Sequence, residues 1–256
     1  MTDGIRLQVL GAQVDVVPAG EAIDPLTDSI RHGWRRCLVN AGEAQGTEPT
    51  RPDRIAVHLD DPADLADALE DLTHRVTRAA IASGVGRLVM LHAAALAHPT
   101  TGRTAVLVGP SGRGKTTATR ELARTLGYVS DETAAIDVDG ALLPYPKPLS
   151  LLGPDGRRPK DTVCPDDLGL APTPAEARLG ALILLDRDPD GPAEPVLEPV
   201  PLLDGLLGLA EQSSSLAALD AGLHRLADLA ASVGGVRRLR YREAATLLPV
   251  VEGLLS

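Results

Sequence analysis

The residues with the clearest chemistry in this chain are Gly109, Pro110, Ser111, Gly112, Arg113, Gly114, Lys115 and Thr116. Their spacing is G-x-x-x-x-G-K-T, the pattern of a phosphate-binding P-loop. Glycines let a backbone curl until several N–H groups converge on one anion, and a helix that starts at the loop adds partial positive charge there. Lys115 is placed to reach the β- and γ-phosphates and the Thr116 hydroxyl to hold Mg²⁺, with Thr117 next in the same binding stretch. ATP with Mg²⁺ is the expected ligand, although the motif does not separate ATP from GTP.

Two stretches could supply the carboxylate that such a site uses. Tyr128 to Ile136 reads as a strand with Asp131 and Glu132 in its middle, one element after the P-loop helix. Ala181-Leu182-Ile183-Leu184-Leu185-Asp186 reads as a buried strand ending in an acid. Proximity in sequence favours Asp131 for Mg²⁺, the apolar run favours Asp186, and both stay open at this level. Upstream, the apolar run from Arg87 to Ala97 carries His92. Taken alone, His92 reads as a buried hairpin histidine bonded to a carbonyl.

These groups need elements to hold them. Thr104 to Val108 reads as a buried strand feeding the loop, and Thr116 to Leu126 as the helix leaving it, with Gly127 as its cap. The turn His98-Pro99-Thr100-Thr101-Gly102 is short enough to predict an antiparallel hairpin between the His92 run and the P-loop strand. Earlier, Ile5, Leu7 and Val9 alternate before Val14 and Val16, predicting a β-hairpin. Ser29 to Val39 is short strand or helix around Trp34, and Ala41 to Asp53 a polar loop. Ile55, Val57 and Leu59 form a strand. Asp61-Pro62 then opens a helix with Leu65, Leu69, Leu72, Val76 and Ala80 on one face. His58 and His74 read as surface or packing residues. The division expected is an N-terminal α+β part over 1–86 and an α/β P-loop domain with a mixed sheet over 87–256.

Asp137 to Gly140 reads as a turn, and the proline-dense 141–180 cannot be one regular element. There Lys147, Arg157, Arg158 and Lys160 form a basic cluster, either a solvated loop or a lid touching substrate. In the tail, Leu216, Leu219, Leu223, Leu226, Ala230 and Val233 mark one helical face. Val236 to Tyr241 reads as a last strand and Glu243 to Leu255 as a helix restarted at Pro249.

Composition narrows the function classes. The 256 residues carry 25 basic and 35 acidic side chains, a net charge of −10, and only 2% aromatics with no phenylalanine. Neither a phosphate-backbone surface nor a base-stacking platform follows, so no nucleic-acid partner is expected. Cys37 and Cys164, far apart and outside any C-x-x-C, read as buried thiols of a reducing compartment. No signal-length or membrane-length apolar run occurs, so no membrane partner and a cytoplasmic location are expected.

Three features, Leu91-His92-Ala93-Ala94 on the hairpin strand, the P-loop, and Ser130-Asp131-Glu132, resemble the HPr kinase/phosphorylase-like P-loop kinases, a family related in fold to phosphoenolpyruvate carboxykinases. The resemblance covers roughly 87–140. It is closest to the HPr-kinase-like proteins of peptide natural-product pathways, lasso peptides among them, which also carry a stretch like Pro146–Ser150. It implies a kinase moving the γ-phosphate of ATP to a hydroxyl, with a serine of a peptide or protein as acceptor. Asp131 and Glu132 match the family's acid pair, and His92 the histidine beside the transferred phosphate, helping neutralise its charge. With Lys115 they make the expected catalytic set, and Thr116 and Asp131 the metal set. The second acid here is Glu132 rather than Asp, and the family's signature for phosphate attack is not evident. Phosphorylase activity and HPr as substrate are therefore not expected. Relatives of this kind often form homo-oligomers. Two other readings stand beside the kinase: an ATP-binding regulatory or scaffold module with little turnover, and a kinase of a small molecule such as free serine or a sugar.

Overall fold

The structure is a computed structural model that describes residues 4–39, 52–110, 112–153 and 159–256. Ser111, Arg157, Arg158 and nearly all of the polar loop expected at 41–53 lie outside the described residues.

In chain order the elements are β1 (Ile5–Val9), β2 (Ala12–Ala19), α1 (Ile23–Gly33), β3 (Asp53–His58), α2 (Leu65–Gly84), β4 (Val89–Ala97), β5 (Arg103–Val108) and α3 (Lys115–Leu122). Then come β6 (Gly127–Ser130), β7 (Thr133–Ile136), β8 (Leu142–Leu143), β9 (Leu149–Leu151), β10 (Asp161–Val163) and β11 (Arg178–Arg187). The chain continues through β12 (Val196–Pro199), α4 (Leu202–Glu211), β13 (Ser213–Ser214), α5 (Gly222–Ser232), β14 (Val236–Tyr241) and α6 (Leu248–Leu255).

Two compact units result. One holds Met1–Ser83 with Pro146–Leu168, the other Gly84–Tyr145 with Gly169–Ser256. The break near 84 lies close to the division expected at 86. The described residues 146–153 and 159–168 belong with the first unit rather than with the second, where sequence order had put them.

In the first unit β1, β2 and β3 form a sheet in that order, β1–β2 antiparallel and β2–β3 parallel. The alternation of Ile5, Leu7 and Val9 with polar neighbours puts the apolar side chains on the buried face. Trp34, fully buried, follows α1, which settles the Ser29–Val39 segment as helix, then a short 3₁₀ turn at Arg35–Cys37. Asp61 caps the next helix as expected, accepting the Ala63 N–H at 2.9 Å. Leu69, Leu72, Val76 and Ala80 of α2 are buried. The second unit's β4 is apolar along its length except at His92, because both its faces are covered.

The second unit is a mixed α/β fold. Its sheet runs β12-β14-β11-β5-β4-β7-β8, with β6 and β13 also paired to β4. β5, β11 and β14 are parallel neighbours, whereas β4 runs antiparallel to β5, forming the hairpin that the short turn at 98–102 demands. Odd-numbered β4 residues from Val89 to Ala97 join a core with Leu209 of α4 and Leu226, Leu229 and Ala230 of α5. α3 packs against β4, and α6 against β5 and β11.

Several local expectations differ from the structure. Gly127 is not a helix cap but the first residue of β6, and α3 ends at Leu122 rather than Leu126. A Cβ at Gly127 would lie 2.8 Å from both the Pro172 oxygen and Pro174 Cδ, so close packing, not helix termination, requires glycine there. Leu223 is 58% exposed, because the left-handed Ala221 (φ 52°) resets the phase between Leu216–Ala218 and α5. Lys147 is buried and donates to the Pro148 carbonyl at 3.2 Å, so it does not belong to a solvated basic cluster.

Candidate functional site

β5 is buried from Thr104 to Val108 and delivers the chain to Gly109. Gly112 and Gly114 then take left-handed backbone conformations (φ 81° and 86°), which closes the loop and starts α3 at Lys115. A Cβ on Gly114 would come within 2.9 Å of the Tyr241 hydroxyl oxygen and 3.3 Å of Arg187 Cδ. Pro110, Gly112, Arg113 and Thr117 are exposed along the loop and first helical turn.

Lys115 is 7% exposed, and its ammonium donates to the carbonyls of Gly109 (2.6 Å) and Pro110 (3.1 Å). Burial lowers its pKa, while the charges of Asp131 and Glu132 raise it. The lysine thus lies within electrostatic reach of both acids. The Thr116 hydroxyl donates to Asp131 Oδ2 at 3.2 Å, and Asp131 itself is 6% exposed.

The sheet explains why the two acids meet the loop. β4 changes partners along its length. Val89 to His92 pair with β7, whereas Ala93 to Ala97 pair with β5, and Ala95 to Ala97 also with β6. The single strand expected over 128–136 is broken in two: Asp131 and Glu132 fall in the gap between β6 and β7, opposite that change of partner, rather than in mid-strand. Ser130 holds the gap: its hydroxyl donates to the Thr133 carbonyl (2.8 Å) and accepts from the N–H groups of Thr133 (3.2 Å) and Glu132 (3.4 Å). The Ala93 N–H donates to the Glu132 carbonyl at 3.1 Å.

His92 sits at the same point of β4, half-buried, with its backbone N–H on the Gln212 carbonyl at 2.7 Å. Its Nδ1 is 3.1 Å from the Glu132 carbonyl. A carbonyl only accepts, so the proton lies on Nδ1. Burial lowers its pKa, Lys115 lowers it further, and the charge and carbonyl of Glu132 oppose them. The hairpin-histidine reading and the site reading therefore describe one residue, bonded to a carbonyl and electrostatically coupled to Lys115 and Glu132.

Asp186, the rival acid, is the penultimate residue of β11 and lies 3.8 Å from Arg240, with about two-fifths of each side chain exposed. Its neighbour Leu185 is the residue turned toward Gly109. Two residues that the sequence reading passed over also reach the loop. Tyr241, at the end of β14, donates its hydroxyl to the Arg113 carbonyl at 3.3 Å, and burial raises its pKa against the pull of Arg187. Arg187, ending β11, brings its Cδ alongside Gly114 and donates to the Arg242 carbonyl at 3.3 Å. Only the strand register could have found them, since they lie over 70 residues downstream of the loop.

The residues present suit a hard divalent cation. Cis ligands of an octahedral Mg²⁺ at about 2.1 Å stand about 3.0 Å apart. Thr116 Oγ1 and Asp131 Oδ2, both oxygen donors, stand 3.2 Å apart. Among the described residues, no helix is long and apolar enough to cross a membrane. Compared with family models and with curated proteins, the chain matches none.

Proposed function

We propose that this chain is an ATP-dependent phosphotransferase that moves the γ-phosphate to a hydroxyl, with a serine of a peptide or protein as the acceptor class. One observation carries the reading. A P-loop and a pair of acids in the gap between β6 and β7 are drawn together at one point, with Thr116 bonded to Asp131 at 3.2 Å and Lys115 within reach of the charges of Asp131 and Glu132.

In this reading the loop amides and Lys115 bind the β- and γ-phosphates, and Lys115 must first leave the Gly109 and Pro110 carbonyls. Thr116 and Asp131 would hold Mg²⁺, which supplies charge neutralisation on the phosphates. The acceptor's proton goes to Glu132, the second acid of the pair, as the acceptor's oxygen bonds to the γ-phosphorus and the bond to ADP breaks. His92 takes a different part from charge neutralisation. Its depressed pKa favours the neutral ring, and with the proton on Nδ1, Nε2 is an acceptor that can orient the incoming hydroxyl. Positioning and electrostatics suffice for such a reaction.

The ATP-binding regulatory module remains the second reading, and it is favoured by the way Lys115 seals the loop's own carbonyls. Binding that displaces it would change the loop's shape with or without turnover. Lys115→Ala and Asp131→Asn separate the two. For a phosphotransferase both lose transfer to an acceptor by about 100-fold or more. A parent that binds ATP but forms no ADP with any acceptor supports the module, and variants that transfer at the parent rate overturn the assignment.

A further inference from the structure

The first compact unit holds a cluster unrelated to phosphate chemistry. His32, in the last turn of α1, Cys164, just past β10, and Asp167 bring one imidazole nitrogen, one sulfur and one carboxylate oxygen within 4.8 Å of one another. We propose that these three side chains form a Zn²⁺ site, completed by one water.

Cys164 and Asp167 are the ends of a tight turn closed by the Asp167 N–H on the Cys164 carbonyl at 3.1 Å, so both ligands leave one rigid piece of backbone. His32 arrives from a helix distant in sequence, its Nε2 2.7 Å from Asp167 Oδ2. Asp166, inside that turn, is held by Arg35 (3.3 Å) and Arg36 (2.6 Å), and the Cys164 sulfur lies 4.0 Å from its Oδ2 until a metal draws it away. The arginine contacts neutralise Asp166 and anchor the turn to the residues that follow α1. What remains for a cation is the Cys164 sulfur, which gives up its proton on binding, the Asp167 carboxylate and the His32 imidazole.

The donor set selects the metal. Sulfur and imidazole favour Zn²⁺ over Mg²⁺, so this site and the oxygen pair at Thr116 and Asp131 would not compete for one ion. Binding adjusts the spacings by about 1 Å or less for the nitrogen–oxygen pair, and draws in the sulfur, which lies within 4.8 Å of both. Around tetrahedral zinc, N and O ligands stand about 3.3 Å apart and N and S about 3.6 Å, so the His32–Asp167 pair opens by about 0.6 Å. Access is one-sided. Cys164 is 1% exposed, whereas the side chains of His32 and Asp167 are about half exposed, leaving the fourth position toward solvent. Three protein ligands and a water make an exchangeable site rather than a closed one. Binding displaces the thiol proton and ties α1 to the Cys164–Asp167 turn.

The test uses the full chain, stripped with a chelator and titrated with Co²⁺ and then Zn²⁺. One equivalent of Co²⁺ should give thiolate-to-cobalt charge-transfer absorption, which Zn²⁺ abolishes. An ion at the Thr116–Asp131 oxygens cannot give that band. Cys164→Ser should eliminate it, Cys37→Ser should leave it intact, and the half-exposed His32→Gln should weaken Co²⁺ binding at least about tenfold. If Cys164→Ser fails to fold, His32→Gln and Asp167→Asn decide. Absence of the band in the parent, or a band unchanged in His32→Gln and Asp167→Asn, overturns the proposal.

Discussion

Gly114→Ala probes the loop where its geometry is tightest. The residue sits at φ 86°, and an alanine there carries roughly 1–2 kcal/mol of left-handed backbone strain. Its methyl group would also stand 2.9 Å from the Tyr241 oxygen, which is fixed on a buried ring and bonded to the Arg113 carbonyl. Something must yield, and losing that hydrogen bond adds about 0.5–1.5 kcal/mol. The total, about 2–3 kcal/mol, falls on the conformation that presents the loop amides to phosphate, and corresponds to ~30- to 150-fold weaker nucleotide binding. Calorimetric titration of ATP into parent, Gly114→Ala, Tyr241→Phe and the double variant reads this directly. Tyr241→Phe alone should cost about 1 kcal/mol or less, and the double variant should recover about 1 kcal/mol of the Gly114→Ala loss, because the opposing oxygen is gone. Parent-like affinity in Gly114→Ala, or strict additivity in the double variant, would refute the loop geometry.

Thr116→Val removes one of two oxygens proposed for Mg²⁺ and should raise the Mg²⁺ concentration for half-maximal transfer at least about tenfold, whereas Asp186→Asn should not; equal effects of the two would return Asp186 to candidacy. His92 has a folded pKa held below its ordinary value, so the unfolded chain binds the extra proton. Its contribution to stability is complete above about pH 6.5 and lost as pH falls through the folded pKa. Urea unfolding of His92→Asn should therefore show a flatter acid limb than the parent, and a steeper limb contradicts the assignment. The Cys37 pKa is pushed up to about 12, by burial against the charges of Lys147 and Arg36. The folded protein should resist iodoacetamide at Cys37 at pH 8 and react after unfolding, and its stability should decline as pH rises above about 9, a loss that Cys37→Ser removes.

What could be read in advance was local. The P-loop, the hairpin ahead of it and the acids one element after it depend on short spacings, and all three meet in one unit. The Asp61 cap and the α2 face were legible for the same reason. What escaped depends on tertiary register. Tyr241 and Arg187 reach the loop only because β14, β11 and β5 lie side by side in parallel. Lys147 looked like a surface cation because its proline-rich neighbourhood has no period, yet it is buried with the first unit. β12 was missed because Pro199 suits an edge strand but offers no alternation, and Leu223 because one left-handed residue shifts the helical phase.

The central claim is that the hydroxyl of a separate molecule receives the γ-phosphate at the meeting point of Lys115, Asp131, Glu132 and His92. Mass spectrometry of serine-containing candidate peptides, after incubation with ATP, Mg²⁺ and the chain, tests it most directly. A gain of one phosphoryl group on a serine, with matching ADP, is expected in the parent and not in Lys115→Ala. ATP bound but intact beside every unmodified peptide, serine and sugar acceptor would contradict it.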